Sequence, residues 1–184
     1  MSTPAHRIRH TYDEYLSLDA VSTVRLEFLD GQIYAMSGGT PEHAALIGAI
    51  IRALQLPAGC RVYPSDLRVR TASGLSTYPD ITVVCGPTAR DAEDKNAVTN
   101  PVLIIEVLSR ATEQYDRGDK LEHYKTIPSL KQVLLVGYRQ HAIEVWSRDG
   151  ESWSRVLVPE GEVAELAIGA RLDVREVYEA AKDV

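Results

Sequence analysis

Glu106 interrupts the nearly continuous apolar run Pro101-Val-Leu-Ile-Ile-Glu-Val-Leu108. Read as a strand, the run places Ile104, Glu106 and Leu108 on one face and Leu103, Ile105 and Val107 on the other. A run apolar on both faces is the mark of a strand covered on both. A carboxylate left unpaired there costs several kcal/mol. Three things offset that cost: a buried Arg or Lys, a proton, or a divalent cation.

A second acid narrows the chemistry. Asp80 lies in Tyr78-Pro-Asp-Ile-Thr-Val-Val84, where Pro79, having no N–H for a ladder, belongs at the first residue of a strand. Asp80 is therefore expected at a strand end, open to a cleft. By itself it reads as a strand-end cap. With Glu106 on a neighbouring strand it makes a pair of oxygen ligands, the kind Mg²⁺ takes together with several waters and a substrate phosphate.

Downstream, Asp116, Lys120 and Tyr124 recur at i, i+4 and i+8, one face of a helix. From there Lys120 can reach the carboxylates of the preceding strand, orient a water and stabilise charge on a phosphate. The plainer reading is a solvated face with an Asp116–Lys120 pair worth a few tenths of a kcal/mol. Glu27, in Arg25-Leu-Glu-Phe-Leu29, is either a surface ion-pair member or a further ligand, direct or through water. His43 falls in the first turn of a predicted helix, where a positive imidazole is disfavoured; it is either a neutral site histidine or a partly buried structural one. Arg68, Arg70, Arg110 and Arg117 are candidate phosphate contacts by virtue of guanidinium geometry, with ordinary surface charge as the alternative.

These residues need elements to hold them. Thr11-Tyr-Asp-Glu14 is a capping-box signal for a helix to about Leu18, and Asp30-Gly31 predicts a tight hairpin between Val24–Leu29 and Gln32–Met36. Ser37 through Pro41 reads as loop, N-cap and first helical position, opening a helix to about Leu56. Strands are predicted at 61–63, 66–70, 80–85, 101–108, 131–137, 141–146 and 152–158. One helix is predicted over Asp116–Ile127, ended by Pro128, and another from the N-cap Asp173 to about Lys182. Strands with helices at intervals argue an α/β or α+β fold around one central sheet.

The 184 residues carry a net charge of −6 and 45% hydrophobic residues, which suits a single domain over 1–184 and argues against a broadly basic nucleic-acid coat. Neither a membrane span nor a secretory leader is expected. Cys60 and Cys85 have no zinc pattern. The chain therefore reads as cytoplasmic, soluble and reduced. No glycine-rich phosphate or dinucleotide loop is present.

Taken in order, Arg25-Leu-Glu-Phe-Leu-Asp-Gly-Gln-Ile-Tyr34, a His-bearing helix, Tyr78-Pro-Asp80, Glu106-Val-Leu-Ser109, Tyr115-Asp-Arg-Gly-Asp-Lys120 and Tyr124 resemble the Uma-two family. That bacterial family is grouped with restriction endonucleases in the PD-(D/E)xK phosphodiesterase superfamily. The resemblance runs from about Thr11 to the C-terminal helix. It implies a restriction-endonuclease-like fold: a mixed central sheet flanked by helices, with N-terminal and C-terminal hairpin additions. It implies Asp80 and Glu106 as ligands of Mg²⁺ or Mn²⁺, Lys120 and Glu27 as further catalytic groups, and His43, Arg117 and Tyr124 in support. Leu108 stands where the superfamily pattern has lysine, and Lys120 is its natural replacement. The implied activity is metal-dependent hydrolysis of nucleic acid, DNA in the first instance, by a homodimer. The alternative is a binding or protein-interaction module that keeps the fold without turnover.

Overall fold

The computed structural model describes residues 8–36 and 38–182. Ser37, which opens the expected loop, lies outside the described residues, as do residues 1–7 and 183–184. Helix α1 (Tyr12–Val21) is entered through both halves of the expected capping box between Thr11 and Glu14. Strands β1 (Leu26–Leu29) and β2 (Gln32–Ala35) follow. Their turn holds Asp30 at φ 49° and Gly31 at φ 78°, the left-handed pair a two-residue hairpin needs. Helix α2 (Pro41–Ala53) is capped by Thr40.

Strands β3 (Cys60–Pro64), β4 (Arg68–Arg70), β5 (Ser76–Thr77), β6 (Ile81–Cys85), β7 (Ala97–Val98) and β8 (Leu103–Val107) come next. Then come α3 (Glu113–Arg117), α4 (Asp119–Lys125), β9 (Gln132–Val136), β10 (Ala142–Asp149) and β11 (Ser152–Pro159). A small pair, β12 (Val163–Glu165) and β13 (Arg171–Asp173), precedes α5 (Val174–Glu179). The main sheet is six-stranded, in the order β11-β10-β9-β8-β6-β3, and a five-stranded sheet runs β2-β1-β5-β4-β7. Within the main sheet β8 and β9 are parallel and the other neighbours antiparallel. A parallel pair requires a crossover, and α3 and α4 supply it. This mixed α+β architecture, with hairpins near both ends, agrees with the predicted fold class.

Strand β8 is buried on both faces, as its composition demands. Leu103, Ile105 and Val107 pack with Leu46 and Ile50 of α2, Leu54 at its C-cap, and Val177 and Tyr178 of α5. Ile104 and Leu108 pack with Leu121 and Tyr124 of α4 and with Val69 and Val98 of the second sheet. Each such fully buried aliphatic side chain is worth roughly 1.5–3 kcal/mol. That is the rigidity on which Glu106 is mounted.

Three expectations are corrected. The helix predicted over Asp116–Ile127 is two helices, α3 and α4, separated by Gly118 at φ −103°, ψ −111°. Cys60 and Cys85, read as reduced thiols, are opposed across the β3–β6 ladder and joined as a disulfide; their closeness is a matter of register between segments 25 residues apart. Arg68 is neither surface charge nor aimed at a cleft. It is buried, hydrogen-bonded to Asp19, Asp94 and Tyr78, and ties α1 and the 87–100 segment to β4. No described helix is long and apolar enough to cross a membrane.

Candidate active site

The start of β6, the end of β8, the first turn of α2 and the α3–α4 pair meet at one place. Ile81 of β6 is opposite Ile105 of β8 in an antiparallel register, so Asp80 is brought level with Glu106. The two acids are locked to each other's strands. The Val107 N–H donates to Asp80 Oδ2 at 2.8 Å, and the Asp80 N–H reaches Glu106 Oε2 at 3.4 Å. Glu106 is only 4% exposed. Its Oε1 takes Lys120 Nζ at 2.9 Å and the Tyr124 hydroxyl at 2.5 Å, which leaves Oε2 on the side of Asp80.

Lys120 is the hub. Besides Glu106 it touches Glu27 Oε1 at 3.4 Å and Asp116 Oδ1 at 3.5 Å. The solvated helix face anticipated for Asp116 and Lys120 is therefore a buried one, and the break at Gly118 still leaves both side chains pointing inward. Glu27 is not a surface ion-pair member: it is buried and accepts from the Thr77 hydroxyl.

Burial pushes the Glu106 carboxyl up to about 8, and the Asp80 and Asp116 charges add to it, against the lowering pull of Lys120 and Tyr124. Burial also raises Asp116. Burial would lower Lys120, but Glu106 first, then Tyr124, Glu27 and Asp116, hold it well above its ordinary value. The lysine thus stays charged while Glu106 and Asp116 hold their protons more tightly than ordinary carboxyls. Three carboxyl groups, Glu27, Glu106 and Asp116, surround one ammonium, and a fourth, Asp80, stands on the far side of Glu106.

His43 completes the arrangement. Its Nε2 is 2.9 Å from the Val107 carbonyl and 3.3 Å from Asp80 Oδ2. The position in the first turn of α2 disfavours a positive imidazole, yet the Asp80 hydrogen bond is the larger effect. Together with the Asp80 charge and the Val107 carbonyl, it raises the His43 pKa against burial. Two oxygens thus converge on a point now filled by a ring nitrogen.

This donor set fits a hard divalent cation. Asp80, Glu106 and the Val107 carbonyl offer oxygens, the local charge is negative, and Mg²⁺ characteristically uses one or two carboxylates and keeps several waters. Among the described residues there is no ready-made group of three or more His, Cys, Asp or Glu side chains arranged to hold a metal. The ion would be held by few protein oxygens, with Asp80 Oδ1 and Glu106 Oε2 the atoms to reach it, the latter held only by the long 3.4 Å contact from the Asp80 N–H. The buried Glu106 answers its desolvation in two of the three ways listed at the outset, a lysine partner and a raised pKa, and the acids left over make room for the third.

The arginines divide. Arg117 is held by Glu113 at 3.0 Å and by the buried Glu144. Arg70 donates to the Gly74 carbonyl at 2.6 Å and stacks on Tyr12. Arg110 is exposed just beyond β8. Sequence inspection missed Thr77 and the Val107 carbonyl. Thr77 precedes the Tyr78-Pro-Asp80 element without any spacing signal, and a backbone oxygen has none to give.

Residues 12–175 match the Uma2 family, described as "Putative restriction endonuclease". Two relatives from Synechocystis sp. (strain ATCC 27184 / PCC 6803 / Kazusa) are each 33% identical to the chain. "Uncharacterized protein slr1290" aligns over 172 residues, 90% of either protein, and "Uncharacterized protein sll1609" over 160 residues, 85% of this chain and 90% of that protein. A crystal structure from Anabaena variabilis ATCC 29413, described as "a putative nuclease", superposes with a TM-score of 0.71. It covers 92% of this chain and 97% of its own, at 18% identity, and so speaks for the fold alone. On a family match across nearly the whole length and relatives of this similarity, the chain belongs to the Uma2 (Uma-two) family.

Proposed function

We propose that this chain hydrolyses phosphodiester bonds of nucleic acid, with DNA the first candidate, using Mg²⁺ or Mn²⁺ at Asp80 and Glu106. One observation carries the reading: two acids on adjacent strands, interlocked through each other's backbone, beside an ammonium that stays charged. A divalent cation at that point supplies a Lewis acid for a phosphoryl oxygen and lowers the pKa of water. The remaining work belongs to the chain. Tyr124 fixes Glu106 by holding Oε1. Lys120, steadied by Glu27 and Asp116, keeps its positive charge beside Glu106, where it offsets charge growing on the phosphate. His43 fastens Asp80 to the end of β8. Of the four candidate arginines, Arg110 is the one without a partner among the described residues and so the one to meet a phosphate, whereas Arg117 is held by Glu113 and Glu144.

Calorimetric titration with Mn²⁺ tests the site on wild type, Asp80→Asn and Glu106→Gln. Binding is expected in wild type and at least tenfold weaker in each variant; equal binding in all three refutes the metal site. Cleavage of labelled single-stranded, duplex and branched DNA with Mg²⁺ or Mn²⁺ then tests the reaction. The 2.9 Å Lys120–Glu106 contact favours a second reading, a binding module whose acids are satisfied internally. On that reading added metal leaves the melting temperature unchanged.

A further inference from the structure

Two tyrosines stand at this site without a task in the network just described. Tyr34 of β2 is the direct cross-strand partner of Glu27, so its side chain leaves the sheet on the same face, with Cβ atoms about 5 Å apart. It is 48% exposed, the one largely exposed aromatic ring among the described residues. Tyr115 of α3 is half-buried, and Lys120 Nζ lies 6.0 Å from its ring centroid. Neither hydroxyl has a hydrogen-bond partner among the described residues. The other tyrosines near the site are committed: Tyr78 to Arg68 and Asp19, Tyr124 to Glu106.

The electrostatics make these two rings useful. A site with four carboxyls, in a chain of net charge −6, repels a polyanion everywhere except at its cations. A neutral ring offers contact that this repulsion does not oppose. Burial raises the Tyr115 phenol, followed by the Glu27 charge, and Tyr34 lies close enough to add to the effect; the group stays uncharged at physiological pH. Base faces stack on such rings whatever the base, because every base has a π-face. In an intact duplex those faces are already stacked on one another, so only unpaired nucleotides can present them.

We propose that Tyr34 and Tyr115 form a stacking platform for an unpaired base next to the phosphate at Asp80 and Glu106. The preferred ligand is then single-stranded or locally unpaired nucleic acid. This rests on the reading of the acid cluster given above and adds the substrate class. Stacking alone serves DNA and RNA alike.

Fluorescence anisotropy with labelled single-stranded DNA, single-stranded RNA of the same sequence and a blunt duplex, all in Ca²⁺ at fixed salt, tests the platform. The proteins are wild type, Tyr34→Ala, Tyr115→Ala and Tyr115→Phe, each also titrated with Mn²⁺ by calorimetry. Wild type is expected to bind the single strands more tightly than the duplex, and the tighter of DNA and RNA identifies the source of the strand. Each alanine variant should lose about tenfold on that strand, Tyr115→Phe should retain binding, and Mn²⁺ binding should be the same in all four. Single-strand affinity unchanged in both alanine variants overturns the platform, as does a preference for duplex. Because Mn²⁺ binding is scored separately, on these proteins and on Asp80→Asn, failure of the platform is distinct from failure of the metal site.

Discussion

Replacing Lys120 by methionine removes the one ammonium at the centre of the acids while keeping a side chain of similar reach. Three carboxylates then lose a partner within 3.5 Å, all on side chains no more than 8% exposed. Removing one member of a buried ion pair typically costs 3–5 kcal/mol, and that is the loss expected for Lys120→Met at pH 9. The loss should shrink toward pH 6 for a definite reason. Glu106 has a folded pKa of about 8 against an ordinary 4.5. A raised acid contributes stability that is whole below the ordinary value and is lost as pH climbs through the raised one, at up to about 1.4 kcal/mol per pH unit. Without the ammonium that carboxyl rises further, so the variant keeps losing stability at pH values where wild type has levelled off. Urea unfolding followed by tryptophan fluorescence at pH 6, 7.5 and 9 measures the difference, with an unchanged m-value as the check on a common unfolded state. If a cation can take the place of the ammonium, Mg²⁺ at a hundredfold its Kd should return about 2.7 kcal/mol. A variant within 1 kcal/mol of wild type at every pH would refute the buried network.

The hydrogen bond between His43 and Asp80 holds the imidazole pKa above 6.5, so its stabilising contribution is whole below pH 6.5 and fades as pH rises through the raised value. His43→Gln should therefore cost about 2 kcal/mol at pH 5.5, the worth of a charge-assisted hydrogen bond, and little at pH 9; thermal melts at both pH values read this, and a pH-independent loss counts against it. Arg68→Met leaves the buried Asp94 and the largely covered Asp19 without their cation and should cost about 3–5 kcal/mol in urea unfolding. Its Mn²⁺ titration should match wild type, whereas weakened Mn²⁺ binding would mean that Arg68 serves the site after all.

The sequence alone was enough for whatever depends on neighbours along the chain. The capping box at Thr11, the Asp30-Gly31 turn, the Thr40-Pro41 helix start and the two-faced burial of β8 are local events, set by φ preferences, caps and alternation. The order of Glu27, His43, Asp80, Glu106, Lys120 and Tyr124 likewise marked the chemistry worth looking for. What segments do to each other across tens of residues was not legible there. Whether Arg68 faces water or Asp19 and Asp94, whether Cys60 meets Cys85, and whether the Asp116–Lys120 face is wet or dry all turn on sheet register and on which surface α3 and α4 cover. A lysine at helical spacing looks the same in both settings; burial against β8 and the second sheet turns it into a charged hub. Periodicity records which face of an element is apolar, but the charge state of Glu106 and His43 is fixed by distances to groups from other strands, and only the folded chain sets those distances.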